Sequence, residues 1–256
     1  MRAESGPAHD CPVLLLHGFG QTGAAWSAVV EHLGQLRCLA PDMRGHGAAS
    51  GISPIDTKSL VGDIVALASG TRPILVGYSM GGRLALRAAL SHPSLFRALV
   101  LVSTTAGIED PKARETRLES DARLAEMLQR GDAEAFEREW QRLPLWLGDP
   151  DRVSSSARQM RSLSEPAGLA ESLRGFGSGS LAPVWDRLGE IEIPTTVMAG
   201  ERDISYCDLA ARLAALIPDS SLTIVPDCGH SIPLERPEAV ARQIEGVSRR
   251  LRPEES

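Results

Sequence analysis

The stretch RPILVGYSMGGRLALRAAL, Arg72 to Leu90, changes its hydrophobic period at the middle. Up to Tyr78 it is a continuous apolar run, as a strand buried on both faces of a parallel sheet should be, and from Met80 onward its apolar residues recur at helical spacing. The junction, Gly77-Tyr78-Ser79-Met80-Gly81, fits G-x-S-x-G. A nucleophile on a sharp strand-to-helix turn needs small neighbours to avoid clashes, and the helix that follows aims N–H groups and positive dipole at it. The flanking glycines supply that room. A glycine-rich βα turn carrying an incidental serine would look the same in isolation, so the rest of the chain decides between the two.

Outward from this stretch the chain alternates. CPVLLLHGFG, Cys11 to Gly20, reads as a buried strand closed by glycines; Ala25 to Leu36 has helical spacing; RCLAPDMRGHG, Arg37 to Gly47, reads as a short strand running into a loop. Thr57 to Ala68 is a helix and Arg97 to Ser103 a strand. Strands alternating with helices imply right-handed crossovers and an α/β, doubly wound, mostly parallel sheet. The rhythm breaks over residues 104–188, which hold amphipathic helical stretches and the glycine-rich GFGSGS, Gly175 to Ser180, and read as a helical lid insertion. It resumes with IPTTVMAGERD, Ile193 to Asp203, a helix near Cys207 to Leu216, a strand at Ser221 to Val225 and a last helix from Pro237. At 256 residues the whole is expected to be a single domain.

The chain order then decides the serine's case. In the α/β-hydrolase fold the acid and the base follow the nucleophile, each in a loop after a later strand. Asp203, after VMAG in GERD, and His230, after LTIVPD in CGH, occupy those places, with Glu201 and Asp227 as nearby alternative acids. A serine hydroxyl is too weak an acid to react unaided, so His230 accepts its proton while Asp203 fixes the imidazole tautomer. An oxyanion hole is expected from the backbone N–H groups of Met80 and of Phe19 in the H-G-F-G turn. His17 reads as shaping that turn, and Asp42 and His46 as loop-stabilising groups.

Composition limits the partners. With a formal net charge of −6 the chain offers no general attraction to nucleic acid or anionic membrane. No apolar run reaches bilayer length, so no membrane insertion is expected. MRAESGPAHD lacks the apolar core of a secretory signal, which predicts a cytoplasmic address. Cys11, Cys38, Cys207 and Cys228 lack metal-ligand or disulfide spacing and read as small buried hydrophobes; no cofactor or metal is expected.

The runs LLLHGFGQTGAAW, DMRGHG, VGYSMGGRLAL, ARETRLESDARLAEML, GERD and GHSIPLERP together resemble the 2-succinyl-6-hydroxy-2,4-cyclohexadiene-1-carboxylate synthase family of menaquinone biosynthesis, over nearly the whole chain. Most of these motifs are common across the superfamily; R-L-E-S-D and the arginine four residues after the serine are more selective. The resemblance implies a cofactor-free lyase that removes pyruvate from a cyclohexene carboxylate, with Ser79, His230 and Asp203 acting as the base that takes a ring proton. It also implies that Arg83, Arg117 and Arg161 bind substrate, with Tyr78 and Trp140 at its aromatic positions. Physical chemistry points the same way, because the substrate carries three carboxylates and an acidic protein must gather positive charge to hold it; arginine's planar fork suits that task. Arg114, Arg123 and Arg158 lie near enough in sequence to substitute. The competing reading is a serine hydrolase of esters or carbon–carbon bonds acting through an acyl-enzyme. A non-enzymatic binding protein has no need of three placed catalytic groups, and a dehalogenase would carry aspartate at the elbow.

Overall fold

Short runs of valine, leucine and isoleucine pair side by side in a computed structural model that describes residues 12–146 and 149–251. Its strands are β1 (Val13–Leu16), β2 (Cys38–Leu39), β3 (Ile74–Tyr78), β4 (Ala98–Val102), β5 (Thr195–Gly200) and β6 (Ser220–Val225). They form one sheet in the order β2-β1-β3-β4-β5-β6, parallel at every junction. The sequence-expected first strand is shortened, because the chain leaves the sheet at His17 to turn. Cys11, where that strand was expected to begin, lies outside the described residues.

Helices cover both faces: α1 (Ser27–Leu33), α2 (Thr57–Ala68), α3 (Met80–Ser91), α4 (Pro111–Gln129), α5 (Ala133–Gln141), α6 (Asp151–Arg161), α7 (Pro166–Phe176), α8 (Ile204–Leu216), α9 (Ile232–Glu235) and α10 (Pro237–Arg250). Alternation along the strands sorts the core. Val13 and Leu15 of β1, with Ile74 and Val76 of β3, pack on one side with Val29 and Ile244 of α1 and α10. Leu14, Leu16 and Leu75 pack on the other with Ile64, Leu84 and Leu213 of α2, α3 and α8. Each such side chain, fully removed from water, contributes about 1.5–3 kcal/mol. The residues expected as one helix from Ala25 divide into a 3-10 turn at Gly23–Trp26 and α1.

Helices α4 to α7 fall between β4 and β5 and carry their own apolar cluster, in which Leu124, Phe136, Trp140, Leu169 and Leu173 meet and Phe19 packs from the turn after β1. Asp110 starts α4 by accepting from Lys112 N and Ala113 N, with Pro111 at the first helical position. Pro166 starts α7, and the residue before a proline resists the helical conformation, so the stretch RQMRSLSEPAGLAESL breaks between Arg161 and Pro166. Among the described residues no helix is long and apolar enough to cross a membrane. Cys38 and Cys228 are buried as expected, whereas Cys207, in the first turn of α8, is only partly so, its thiol directed at Gly200 O at 3.2 Å.

Candidate active site

The turn between β3 and α3 puts Ser79 at a φ of 51°, a left-handed conformation that costs a non-glycine residue and persists only where its surroundings impose it. Three hydrogen bonds do so. Ser79 N donates to Val102 O at 2.9 Å, Thr104 Oγ1 to Ser79 O at 2.8 Å, and Gly81 N to His17 O at 3.1 Å. The last bond brings α3 so close to β1 that a Cβ at Gly81 would land on the carbonyl of Leu16. Small residues around this serine are thus a steric requirement, as the motif implied.

His230 is fully buried between β6 and α9, and its two ring nitrogens face two partners. Nδ1 lies 2.6 Å from Asp203 Oδ2 and Nε2 lies 3.1 Å from Ser79 Oγ. The three side chains come from loops after β3, β5 and β6, at the carboxyl ends of the strands. Neither alternative acid reaches the imidazole: Glu201 Oε2 accepts from Asp227 N at 2.9 Å, and Asp227 is held by Arg202 at 2.7 Å and Arg236 at 3.4 Å. Rings of Tyr206, Tyr78 and Trp146 surround His230, with centroids at 4.5, 5.5 and 5.5 Å.

His17 sits beneath the turn rather than in the site. Its Nε2 accepts from Met43 N at 3.0 Å, which leaves the proton on Nδ1, 2.8 Å from Gly18 O. Burial lowers its pKa to about 4 and that of its neighbour His46 to about 3, the latter with a further contribution from His17 itself, so both are neutral near pH 7. Asp42 accepts from Gly23 N and Ala48 N at 2.8 and 2.9 Å, tying the two loops together.

Phe19, Tyr78, Ser79, Met80, Arg83, Arg117 and Trp140 line one pocket. Met80 is the first residue of α3, where a helix leaves N–H groups without intrahelical partners. Tyr78 is buried, its hydroxyl 3.5 Å from Ser231 Oγ. The free volume between these groups is about 40 Å³, room for a water or two. Arg83 lies one turn into α3 and is 6% exposed. Its Nη2 makes one long bond to Phe176 O at 3.4 Å and its Nε has no partner. Desolvation pushes this guanidinium down from 12.5 to about 10. Arg117 Nε donates to Asp121 Oδ1 at 2.8 Å, across one turn of α4, and the buried Asp121 Oδ2 has no partner.

Arg161 is not in this pocket. It lines an adjacent, smaller one with Phe19, Trp140, Trp146 and Asp149, and its guanidinium is paired with Glu137. Arg123 and Arg158 are exposed, and Arg114 donates to Ile108 O at 3.4 Å; none of the three lines the Ser79 pocket. Three contributors went unremarked in the sequence. Tyr206 lies in the first turn of α8, directly after Asp203. Gln21 follows the H-G-F-G turn. Asp149 accepts at 2.9 Å from Oγ of Ser231, next in the chain to His230, and burial raises its pKa. The first two sit beside quoted motifs and were legible there; Asp149 has no local signal.

The alpha/beta hydrolase family model matches residues 13–243. A Bacillus subtilis (strain 168) protein assigned as a 2-succinyl-6-hydroxy-2,4-cyclohexadiene-1-carboxylate synthase is 33% identical over 92% of this chain and 89% of its own length. The synthase of that name from Enterobacter sp. (strain 638) is 27% identical over 90% and 88%. Among solved structures, MenH from S. aureus superposes with a TM-score of 0.90 at 28% identity, covering 98% of this chain and 97% of that one. A malate-bound thermophilic esterase from Thermogutta terrifontis reaches 0.84 at 29%, covering 98% and 93%. With this fold and these relatives, the chain belongs to the 2-succinyl-6-hydroxy-2,4-cyclohexadiene-1-carboxylate synthase family of alpha/beta hydrolases, enzymes of menaquinone biosynthesis.

Proposed function

We propose that this enzyme eliminates pyruvate from 2-succinyl-5-enolpyruvyl-6-hydroxy-3-cyclohexene-1-carboxylate, giving 2-succinyl-6-hydroxy-2,4-cyclohexadiene-1-carboxylate, with Ser79, His230 and Asp203 as its base. The observation that carries the reading is Arg83, a buried cation on the wall of the Ser79 pocket with no carboxylate bonded to it among the described residues. A protein keeps a guanidinium in that position at a cost in desolvation, and an anionic ligand offsets the cost.

The steps follow from the hydrogen-bonded chain. His230 Nε2 accepts the Ser79 proton as the Ser79 oxygen takes a proton from the ring carbon beside the succinyl carbonyl. Asp203 accepts from Nδ1–H and stabilises the imidazolium. The electron pair left on the ring gathers on the carbonyl oxygen, where the N–H groups of Met80 and Phe19 are the donors that meet it. As the pair returns to form a double bond to the next ring carbon, the ring's existing double bond shifts by one position and the carbon–oxygen bond to the enolpyruvyl group breaks, which leaves the conjugated diene. The departing enolate takes the proton back at its methylene carbon and leaves as pyruvate. Arg83 and Arg117 hold carboxylates of the substrate, Tyr78 and Trp140 wall it, and Arg161 holds the carboxylate that extends past Trp140. Such a polyanion does not cross a bilayer unaided, which supports a cytoplasmic address.

A second reading is ester hydrolysis through an acyl-enzyme. It is favoured by the Thermogutta terrifontis esterase, whose likeness spans nearly the whole chain, and the same three side chains serve it. The malate in that structure is itself a dicarboxylate, so an esterase of this shape also accommodates carboxylates. Incubation with the enolpyruvyl substrate, with pyruvate measured continuously, separates the two readings. Release at kcat/KM well above hydrolysis of a small neutral aryl ester supports the lyase; robust ester hydrolysis without pyruvate release supports the hydrolase.

A further inference from the structure

Glu137 lies one turn before Trp140 on α5, and both its oxygens are taken by Arg161 from the last turn of α6. Arg161 Nε donates to Oε1 at 2.6 Å and Nη2 to Oε2 at 2.9 Å. The two side chains are 6% and 15% exposed. A buried ion pair recovers its desolvation cost only with good geometry, and a two-pronged fork is the best available.

The fork uses the side edge of the guanidinium. Its end edge, Nη1 with the second hydrogen of Nη2, is left over, and Nη1 has no hydrogen-bond partner among the described residues. The stem of Arg161 runs over Gly20, where an added Cβ would stand 2.9 Å from Cδ and 3.4 Å from Nη1, while Cζ sits 5.9 Å from the Trp140 ring. Arg161 lines a small chamber walled by Phe19, Trp140 and Trp146, three aromatic residues that also line the Ser79 pocket.

We propose that Glu137 is a positioning residue: it clamps the side edge of Arg161 so that the end edge is presented to the carboxylate of the substrate most distant from Ser79. This rests on the polycarboxylate reading above. A single arginine can hold two carboxylates on its two edges, and a long side chain fixed in advance loses less rotamer freedom when its ligand arrives. The arginine is attributable to the family resemblance; its internal clamp is a feature of this structure.

The test is a double-mutant cycle read in KM. Glu137→Ala is expected to raise KM for the enolpyruvyl substrate about tenfold with kcat within about threefold of wild type, because an interaction made equally in ground and transition states is what is weakened. Glu137→Gln keeps acceptors on one oxygen and is expected to fall between the two. In an Arg161→Ala background the Glu137→Ala change should add almost nothing, since its effect runs through Arg161. Neutral aryl ester hydrolysis should be unchanged in Glu137→Ala and Glu137→Gln, which a merely structural role would not permit. Inhibition of that hydrolysis by succinate gives an arm independent of the lyase reaction: its inhibition constant should rise in Glu137→Ala as KM does. If wild type releases no pyruvate but the succinate arm behaves as stated, the lyase reading fails and the clamp stands. An unchanged or lowered KM and inhibition constant, independent effects of the two substitutions, or parallel loss of ester hydrolysis would overturn the clamp.

Discussion

Replacing Arg83 by methionine should make the enzyme more stable and less active at once. Methionine keeps the length of the apolar stem and removes the guanidinium, whose burial lowers its pKa from 12.5 to about 10. At pH 7 the group is charged in both folded and unfolded chains, so the penalty of carrying that charge inside is fully present there. It is relieved only as pH rises through about 10 toward 12.5. At about 1.4 kcal/mol per pKa unit the shift corresponds to roughly 3 kcal/mol, from which the weak bond to Phe176 O subtracts about 1 kcal/mol. For a chain of this size each kcal/mol moves Tm by about 2–4 °C, so Arg83→Met should melt several degrees higher in differential scanning calorimetry. The same change removes a charge-assisted contact to a substrate carboxylate, roughly 1.5–3 kcal/mol, and should lower kcat/KM for pyruvate release about ten- to more than a hundredfold. Arg83→Lys should lie between, keeping the charge and losing the fork. A lower Tm together with an unchanged kcat/KM would refute the reasoning, because Arg83 would then be a structural group.

Ser79→Ala should lower pyruvate release by about a thousandfold or more in a protein with unaltered Tm; near-normal turnover would remove Ser79 from the mechanism. His17 and His46, lowered to about 4 and about 3, leave the folded protein binding fewer protons than the unfolded chain below pH 6.5. Stability should therefore be full above about 6.5 and fall as pH drops toward 4 and 3, by up to about 2 kcal/mol per histidine between 6.5 and 5. Urea midpoints at the two pH values should converge in His46→Phe relative to wild type, and an equal fall in both would show that these rings are not responsible. Activity should be indifferent to a metal chelator, no group of ligand-type side chains being close enough to hold an ion among the described residues; loss in chelator with recovery on adding metal would contradict this.

What could be read from sequence was whatever is decided within a few residues. Helix α2 runs from Thr57 to Ala68 as its spacing implies, because Asp56 caps it locally by accepting from Ser59 N. The strand-to-helix switch at Ser79 is legible because the change of period and the flanking glycines are themselves the cause of the turn. Asp203 and His230 could be placed by their positions after strands, but only three-dimensional pairing separates Asp203 from Glu201 and Asp227, which are occupied with one another and with Arg202 and Arg236. The lid is where local reasoning ends. Its helices carry several acids and arginines besides their apolar faces, so nothing in the spacing says that Arg117 pairs along its own helix while Arg161 crosses to Glu137. For the same reason Asp149 had no signature: its meeting with Ser231 depends on how α6 lies over the carboxyl end of the sheet.

The central claim is that a hydrolase-like serine acts here as a base, and the most direct measurement is the mass of the intact enzyme quenched during turnover. With the enolpyruvyl substrate at saturation, pyruvate should accumulate while the protein mass stays at that of the free chain at every time point from the first turnover onward. An adduct on Ser79 that forms and decays at the rate of product release would contradict the account and return the enzyme to nucleophilic chemistry.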